Sequence, residues 1–139
     1  MNYYLLNHFE KTLVKLNRIL ENNPRNIFAL VTHADTYHIL KRNEESLQDL
    51  NKSLKIEPNN AATLRIIGKT YRMIKKYEKS FDTLDKSLSI EPNNAFGIGI
   101  RGIVYLKLES YEKAIMDFTR YLKIEPYNSS ALVYQGLAY

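Results

Sequence analysis

The chain has no cysteine and no tryptophan among its 139 residues, and only four prolines and five glycines. Without cysteine there is no thiolate nucleophile, no Cys-based zinc site and no disulfide framework, as expected of an intracellular, cytoplasmic protein. Long apolar runs are missing too. Glu10, Lys11 and Lys15 interrupt the opening stretch, so it reads as neither a secretory leader nor a membrane span. Charge of one sign is not in great excess. A net charge of +5 gives a mild basic bias that suits acidic partners but lacks the dense cationic tract of a nucleic-acid arm. With 45% hydrophobic and 25% charged residues, the composition is that of one folded domain.

What the chain does have is a period. Pro24, Pro58, Pro92 and Pro126 are each 34 residues apart, and Tyr3, Tyr37, Tyr71, Tyr105 and Tyr139 keep the same step. So do Gly68, Gly102 and Gly136, with Ala34 in the equivalent earlier place. A fixed period of this size marks a repeat architecture, in which each unit buries its apolar face only against its neighbours.

Within a unit the apolar spacing is helical. Leu64, Ile67, Gly68, Tyr71 and Ile74 fall on one helix face, and after Lys75 and Lys76 the pattern restarts with Tyr77, Phe81, Leu84 and Leu88. Asn60 and Asn94 stand where an N-cap is needed. Each proline lies between helices, where its fixed φ and missing donor cost little. The unit is therefore helix, turn, helix, proline-marked turn.

These positions resemble the tetratricopeptide repeats. In that pattern a small residue is followed three places later by tyrosine, then by a small residue, a large apolar one, another small one and a closing proline. Gly68, Tyr71, Ser80, Leu84, Ser87 and Pro92 match it, as do Ala34, Tyr37, Ser46, Leu50, Ser53 and Pro58, and Gly102, Tyr105, Ala114, Phe118 and Pro126. Tyr121 departs from it, standing where a small residue is usual, and the family's leading tryptophan is replaced by Leu30, Leu64, Ile98 and Leu132. The resemblance implies an all-α fold, a right-handed superhelical solenoid of antiparallel helix pairs. One array spans 1–139: a partial repeat at 1–26, repeat 1 at 27–60, repeat 2 at 61–94, repeat 3 at 95–128 and a partial repeat at 129–139. The first partial repeat is expected to hold the tail of one helix and then a second helix over roughly 8–20.

Two residue pairs covary inside the chain. His33 stands sixteen places before Asp49, and Arg101 sixteen before Asp117, whereas the equivalent Ile67 precedes Thr83. A base accompanies an acid and an apolar residue does not, so these positions are expected to touch across the helix pair.

Catalytic and cofactor signals fail on context. Gly97-Ile98-Gly99-Ile100-Arg101-Gly102 spells a dinucleotide fingerprint, but that motif needs a preceding strand, and the repeat puts these glycines inside a helix. Gly97 and Gly99 are additional to the repeat's own glycine, and Gly99→Ala is expected to raise the melting temperature. His8, His33 and His38 lack metal-ligand spacing. No enzyme activity, cofactor or metal is expected.

The family resemblance also implies a ligand groove lined by the first helix of each repeat. Its positions here include Phe28, Val31, Asp35 and His38; Arg65, Lys69 and Arg72; Phe96, Ile103 and Leu106; and Val133. Arg65, Lys69 and Arg72 form a basic strip between apolar anchors, suited to an acidic peptide or helix of another protein. Some family members grip a chaperone's terminal carboxylate. The matching places here are Val31, Asp35, Ile66, Phe96 and Ile100, or one repeat later Arg65, Lys69, Ile100, Ser130 and Tyr134, which argues against that ligand. A second reading is self-association of a fragment of a longer array. Leu132, Gly136 and Tyr139 at one end would meet Leu13, Leu16 and Leu20 at the other, as a homo-oligomer, an open chain or by domain swapping. RNA binding, by analogy with helical repeats of 35 residues, is disfavoured by the 34-residue step. A membrane partner is not expected.

Overall fold

The computed structural model describes residues 2–127 and 129–138, without the side chains of 129–131 and 134. Among these residues there are eight α-helices and no strand: α1 (Tyr3–Asn22), α2 (Ile27–Ile39), α3 (Asn43–Ile56), α4 (Ala61–Met73), α5 (Tyr77–Ile90), α6 (Ala95–Lys107), α7 (Tyr111–Ile124) and α8 (Ser129–Ala138). The chain falls into two compact units, 1–63 and 64–139.

Helix starts follow the period. The side chains of Asn26, Asn60 and Asn94 accept from the amides of Ala29, Thr63 and Gly97 at 3.0, 3.0 and 2.9 Å. Each satisfies one of the orphan donors of a helix N-terminus, typically stabilising by ~1 kcal/mol relative to alanine.

The turn inside each repeat is also periodic, in a way the residue types conceal. Lys41, Lys75 and Glu109 are left-handed, with φ of 58°, 63° and 59°. The following amides, Arg42, Lys76 and Ser110, reach back to the carbonyls of Tyr37, Tyr71 and Tyr105 at 2.8, 2.9 and 2.8 Å. The left-handed residues themselves donate to His38, Arg72 and Leu106. This is the paired-bond helix ending that usually employs glycine.

In the first compact unit α1 packs on α2 and α2 on α3. Ala34, Leu50, Ser46 and Ser53 are fully enclosed. The opening segment differs from expectation: α1 is one continuous helix of 20 residues, not a helix tail followed by a second helix over 8–20. Continuing the helix keeps the backbone bonds that a turn would forgo.

In the second compact unit α5 packs on α6, α6 on α7 and α7 on α8. The small residues face large ones. A Cβ on Gly68 would lie 2.6 Å from Leu84 Cγ, and one on Gly102 would lie 2.7 Å from Phe118 Cε1. Leu84 and Phe118 are fully buried, each contributing roughly 1.5–3 kcal/mol of apolar burial. Tyr71 and Tyr105 share their surroundings, with Lys79 and Lys113 ammonium groups 5.8 and 5.9 Å from the respective ring centres.

Candidate functional site

The covarying pairs are in contact. His33 Nδ1 lies 2.7 Å from Asp49 Oδ2, both side chains being buried. Arg101 donates to both oxygens of Asp117, from Nε and Nη2 at 2.8 Å each, and from Nη1 to Asp85 Oδ1 at 3.1 Å. Hydrogen bonding to Asp117 holds the Arg101 guanidinium above its usual range. Burial pushes the Asp49 carboxyl up, against the pull of His33 beside it. Where Arg101 is long enough to bridge two acids, His33 reaches one.

On the first compact unit α2 carries Phe28, Val31, Asp35 and His38. Phe28 and Asp35 are exposed, Phe28 at 79%, and Val31 and His38 are half-buried. Phe28 sits in the first turn of α2, two residues after the Asn26 cap.

The second compact unit brings part of the expected basic strip together and qualifies it. Arg65 Nη1 donates to Glu91 Oε2 at 2.6 Å and its side chain is only 14% exposed, so its charge is largely spent within the fold. Lys69 lies 5.8 Å from the ring centre of Phe96, itself half exposed, so cation and aromatic form one patch. Arg72 is half-buried, and its Nε has no hydrogen-bond partner among the described residues. Ile103 and Leu106 pack partly into the core around Ala114, Phe118 and Ala138. They are therefore less available as anchors than the sequence implied. Val133 on α8 is exposed.

The residues assigned to self-association differ in accessibility. Leu132 is exposed, and a Cβ on Gly136 would meet nothing within 4 Å. Leu13 and Leu16, by contrast, are already buried within the chain, and Leu20 is half-buried. Tyr139 lies outside the described residues.

The glycine-rich stretch sits inside α6. Gly97 faces Leu88 and the Arg65 stem, Gly99 faces the Tyr121 ring and Gly102 faces Phe118. Its glycines serve side-chain contact within a helix, not a phosphate loop. Among the described residues no three His, Asp or Glu side chains converge on a potential metal position, and no helix is long and apolar enough to cross a membrane.

Sequence reasoning missed two features. One is a cleft beside His33, of about 440 Å³. The other is the Gly99–Tyr121 contact, whose only sequence signal is that both residues depart from the repeat within one unit.

The family description "Tetratricopeptide repeat" matches residues 29–60 and 99–128. The chain folds as a tetratricopeptide-repeat array, and residues 29–60 and 99–128 carry the family's sequence pattern. No curated protein matches its sequence. Among solved structures, one titled crystal structure of MamA is 22% identical, with a TM-score of 0.90 over 100% of this chain and 84% of that one. A MamA fragment from Desulfovibrio magneticus RS-1 is 19% identical, with a TM-score of 0.89 over 94% of this chain and 73% of that one. The first tetratricopeptide domain of Spaghetti (RPAP3), bound to the HSP90 peptide SRMEEVD, is 19% identical, with a TM-score of 0.78 over 81% of this chain and 89% of that one. At these identities the likeness fixes the tetratricopeptide fold alone.

Proposed function

We propose that the chain is a protein-interaction scaffold whose first helices hold an extended peptide or a helix of another protein. The observation that carries this reading is the Lys69–Phe96 patch, a cation over a half-exposed aromatic ring. Arg72 lies one turn along α4 from Lys69, and exposed Val133 lies on α8. Such a patch suits a segment with an acidic side and an apolar anchor. On α2, Phe28, Val31, Asp35 and His38 form a separate set for the same role. The peptide-bound state of the Spaghetti (RPAP3) domain supports a peptide-binding mode for this fold.

A chaperone's terminal carboxylate is not the proposed ligand. Of the places that would grip it, only Arg65 and Lys69 are basic, and Arg65 is held by Glu91. The test is titration of the chain with acidic peptides carrying one aromatic or leucine anchor, followed by calorimetry. Phe96→Ala and Lys69→Glu are expected to weaken binding at least ~tenfold together, since truncating an interface anchor commonly costs more than ~1 kcal/mol. Unaltered affinity in both variants would refute the assignment.

A second reading is self-association through α8, favoured by the exposure of Leu132, Val133 and Leu137. Light scattering at increasing concentration checks it. A mass that rises with concentration and falls back in Leu132→Lys supports this reading, and a constant monomeric mass excludes it.

A further inference from the structure

Leu30, Leu64, Ile98 and Leu132 hold the same place in the first helices α2, α4, α6 and α8. The first three are 2, 2 and 0% exposed, whereas Leu132 is 52% exposed. The small residue one turn further on divides in the same way. A Cβ on Gly68 or Gly102 would overlap Leu84 or Phe118 on the second helix of the same repeat, and one on Gly136 would meet nothing within 4 Å. So α8 presents an apolar rim beside an open cradle, the kind of gap that close-packed helices fill with a large side chain.

The matching knob lies on α1. One period before Ser46, Leu50 and Ser53 stand Thr12, Leu16 and Ile19. Ser46, Leu50 and Ser53 are fully enclosed, as are Ser80, Leu84 and Ser87 one period on. On α1, which packs on α2, Thr12 is only half-buried and Ile19 is 43% exposed. Leu16 holds the place of Leu84 and Phe118, the two residues that fill the glycine cradles of their own repeats. The chain thus carries both halves of one repeat, a first helix with an open glycine and a second helix with a partly exposed face.

Charge and register select the pairing. Lys11 and Lys15 run along one side of the α1 face, so two α1 helices brought together would oppose like charges. Two α8 helices offer no residue at the place of Leu84 or Phe118 to fill the cradle. Between α8 and α1 both objections vanish, because α8 has no charged residue. Gln135 and Lys15 then stand at the places of Arg101 and Asp117, the pair that joins first and second helix in repeat 3, and an amide oxygen can accept from an ammonium. Resting on the self-association reading, we infer that α8 of one molecule docks on the Thr12, Leu16 and Ile19 face of α1 in a second copy, with Leu16 seated on Gly136 and Ile19 against Leu132. The contact completes a repeat across two molecules. It is heterologous, each molecule using two different faces, so it propagates as an open chain or closes as a ring and makes no two-fold contact of like faces.

The test uses the full chain at constant ionic strength and two variants, Leu132→Lys on α8 and Ile19→Lys on α1, both at exposed positions. Light scattering after size exclusion reads the mass. The natural chain is expected to grow with concentration, and each variant alone to stay at one protomer. An equimolar mixture of the two should reach two protomers and stop, because one variant retains α1 and the other α8. Should either variant not fold, Gly136→Arg, where a side chain has open space, and Thr12→Arg replace them. Association of the α1 variant as strong as that of the natural chain, with the α8 variant monomeric, would overturn the α1 assignment and leave self-association through α8 standing. A mixture that stays monomeric would overturn it likewise. A natural chain held at one protomer at every concentration would overturn both the inference and the reading beneath it.

Discussion

A Cβ on Gly99 would stand 3.0 Å from Cδ2 and 3.1 Å from Cε2 of Tyr121. Tyr121 occupies a position held by serine in the two preceding repeats, Ser53 and Ser87, and Gly99 occupies that of Val31 and Arg65. The missing side chain on α6 makes room for the extra ring on α7. This contact works against the expectation from helix propensity alone that Gly99→Ala stabilises. The gain of ~1 kcal/mol from removing a mid-helix glycine is opposed by overlap with ring atoms that cannot bend individually. Gly99→Ala alone should therefore leave the melting temperature unchanged or lower. Combined with Tyr121→Ser it should stabilise relative to Tyr121→Ser by about 1 kcal/mol. A thermal double-mutant cycle reads the coupling directly.

Two equivalent serines should respond oppositely to alanine. Ser80 Oγ donates to the Gly68 carbonyl at 2.6 Å, whereas the buried Ser46 Oγ has no partner among the described residues. Ser80→Ala is expected to cost about 1 kcal/mol. Ser46→Ala removes an unsatisfied hydroxyl and should be neutral or stabilising. Urea midpoints of the two variants settle the comparison.

The left-handed turn residues invite glycine. Lys75→Gly should gain up to ~1 kcal/mol by relieving the Cβ clash at positive φ, less the added entropy of the unfolded chain. Glu109→Gly should gain more, because it also removes an acidic side chain from the negative end of α6. Chemical denaturation of the two single variants gives the ranking, and equal gains would show that the charge is immaterial.

The Arg101–Asp117 pair should be far more costly to break than to replace. Arg101→Ile leaves Asp117, 3% exposed, without its bidentate partner, and about 3–5 kcal/mol should be lost. Adding Asp117→Thr recreates the Ile67 and Thr83 combination of repeat 2 and should recover most of that loss. Independent, additive effects in a denaturation cycle would contradict the pairing.

Burial raises the Asp49 carboxyl above its usual value, so the folded chain binds that proton more tightly than the unfolded one. Its stabilising contribution is fully present below the unfolded aspartate value of ~3.9 and is lost as pH rises through the raised folded value. Asp49→Asn cannot titrate. The stability of the natural chain minus that of the variant should fall as pH rises from about 3 to about 7, followed by urea unfolding. A flat difference would place the folded and unfolded values together.

Much of the architecture was legible because the repeat prints itself in residues with few substitutes. Pro58 and Pro92 mark turns, Gly68 and Gly102 mark close approach, and Asn60 and Asn94 mark helix starts. Asn26, the same cap one period earlier, was available to the same reasoning and was missed. The left-handed turns were illegible because Lys41, Lys75 and Glu109 do not advertise positive φ. Their conformation is imposed by the two backbone bonds that close each helix.

The candidate sites were less legible. Spacing could place Arg65, Lys69 and Arg72 on one helix face, but it could not show that Glu91 neutralises Arg65 or that Lys69 sits over Phe96. Those facts depend on which side chains meet across helices far apart in sequence.

The sequence by itself determined the helix pairs, their period and the partners His33–Asp49 and Arg101–Asp117, because periodicity and chemical complementarity survive in one dimension. Only the tertiary structure decided that α1 runs unbroken, that Gly99 makes room for Tyr121, and that a cleft opens beside His33. Each of those outcomes turns on side-chain reach and the volume between packed helices, which no spacing rule measures.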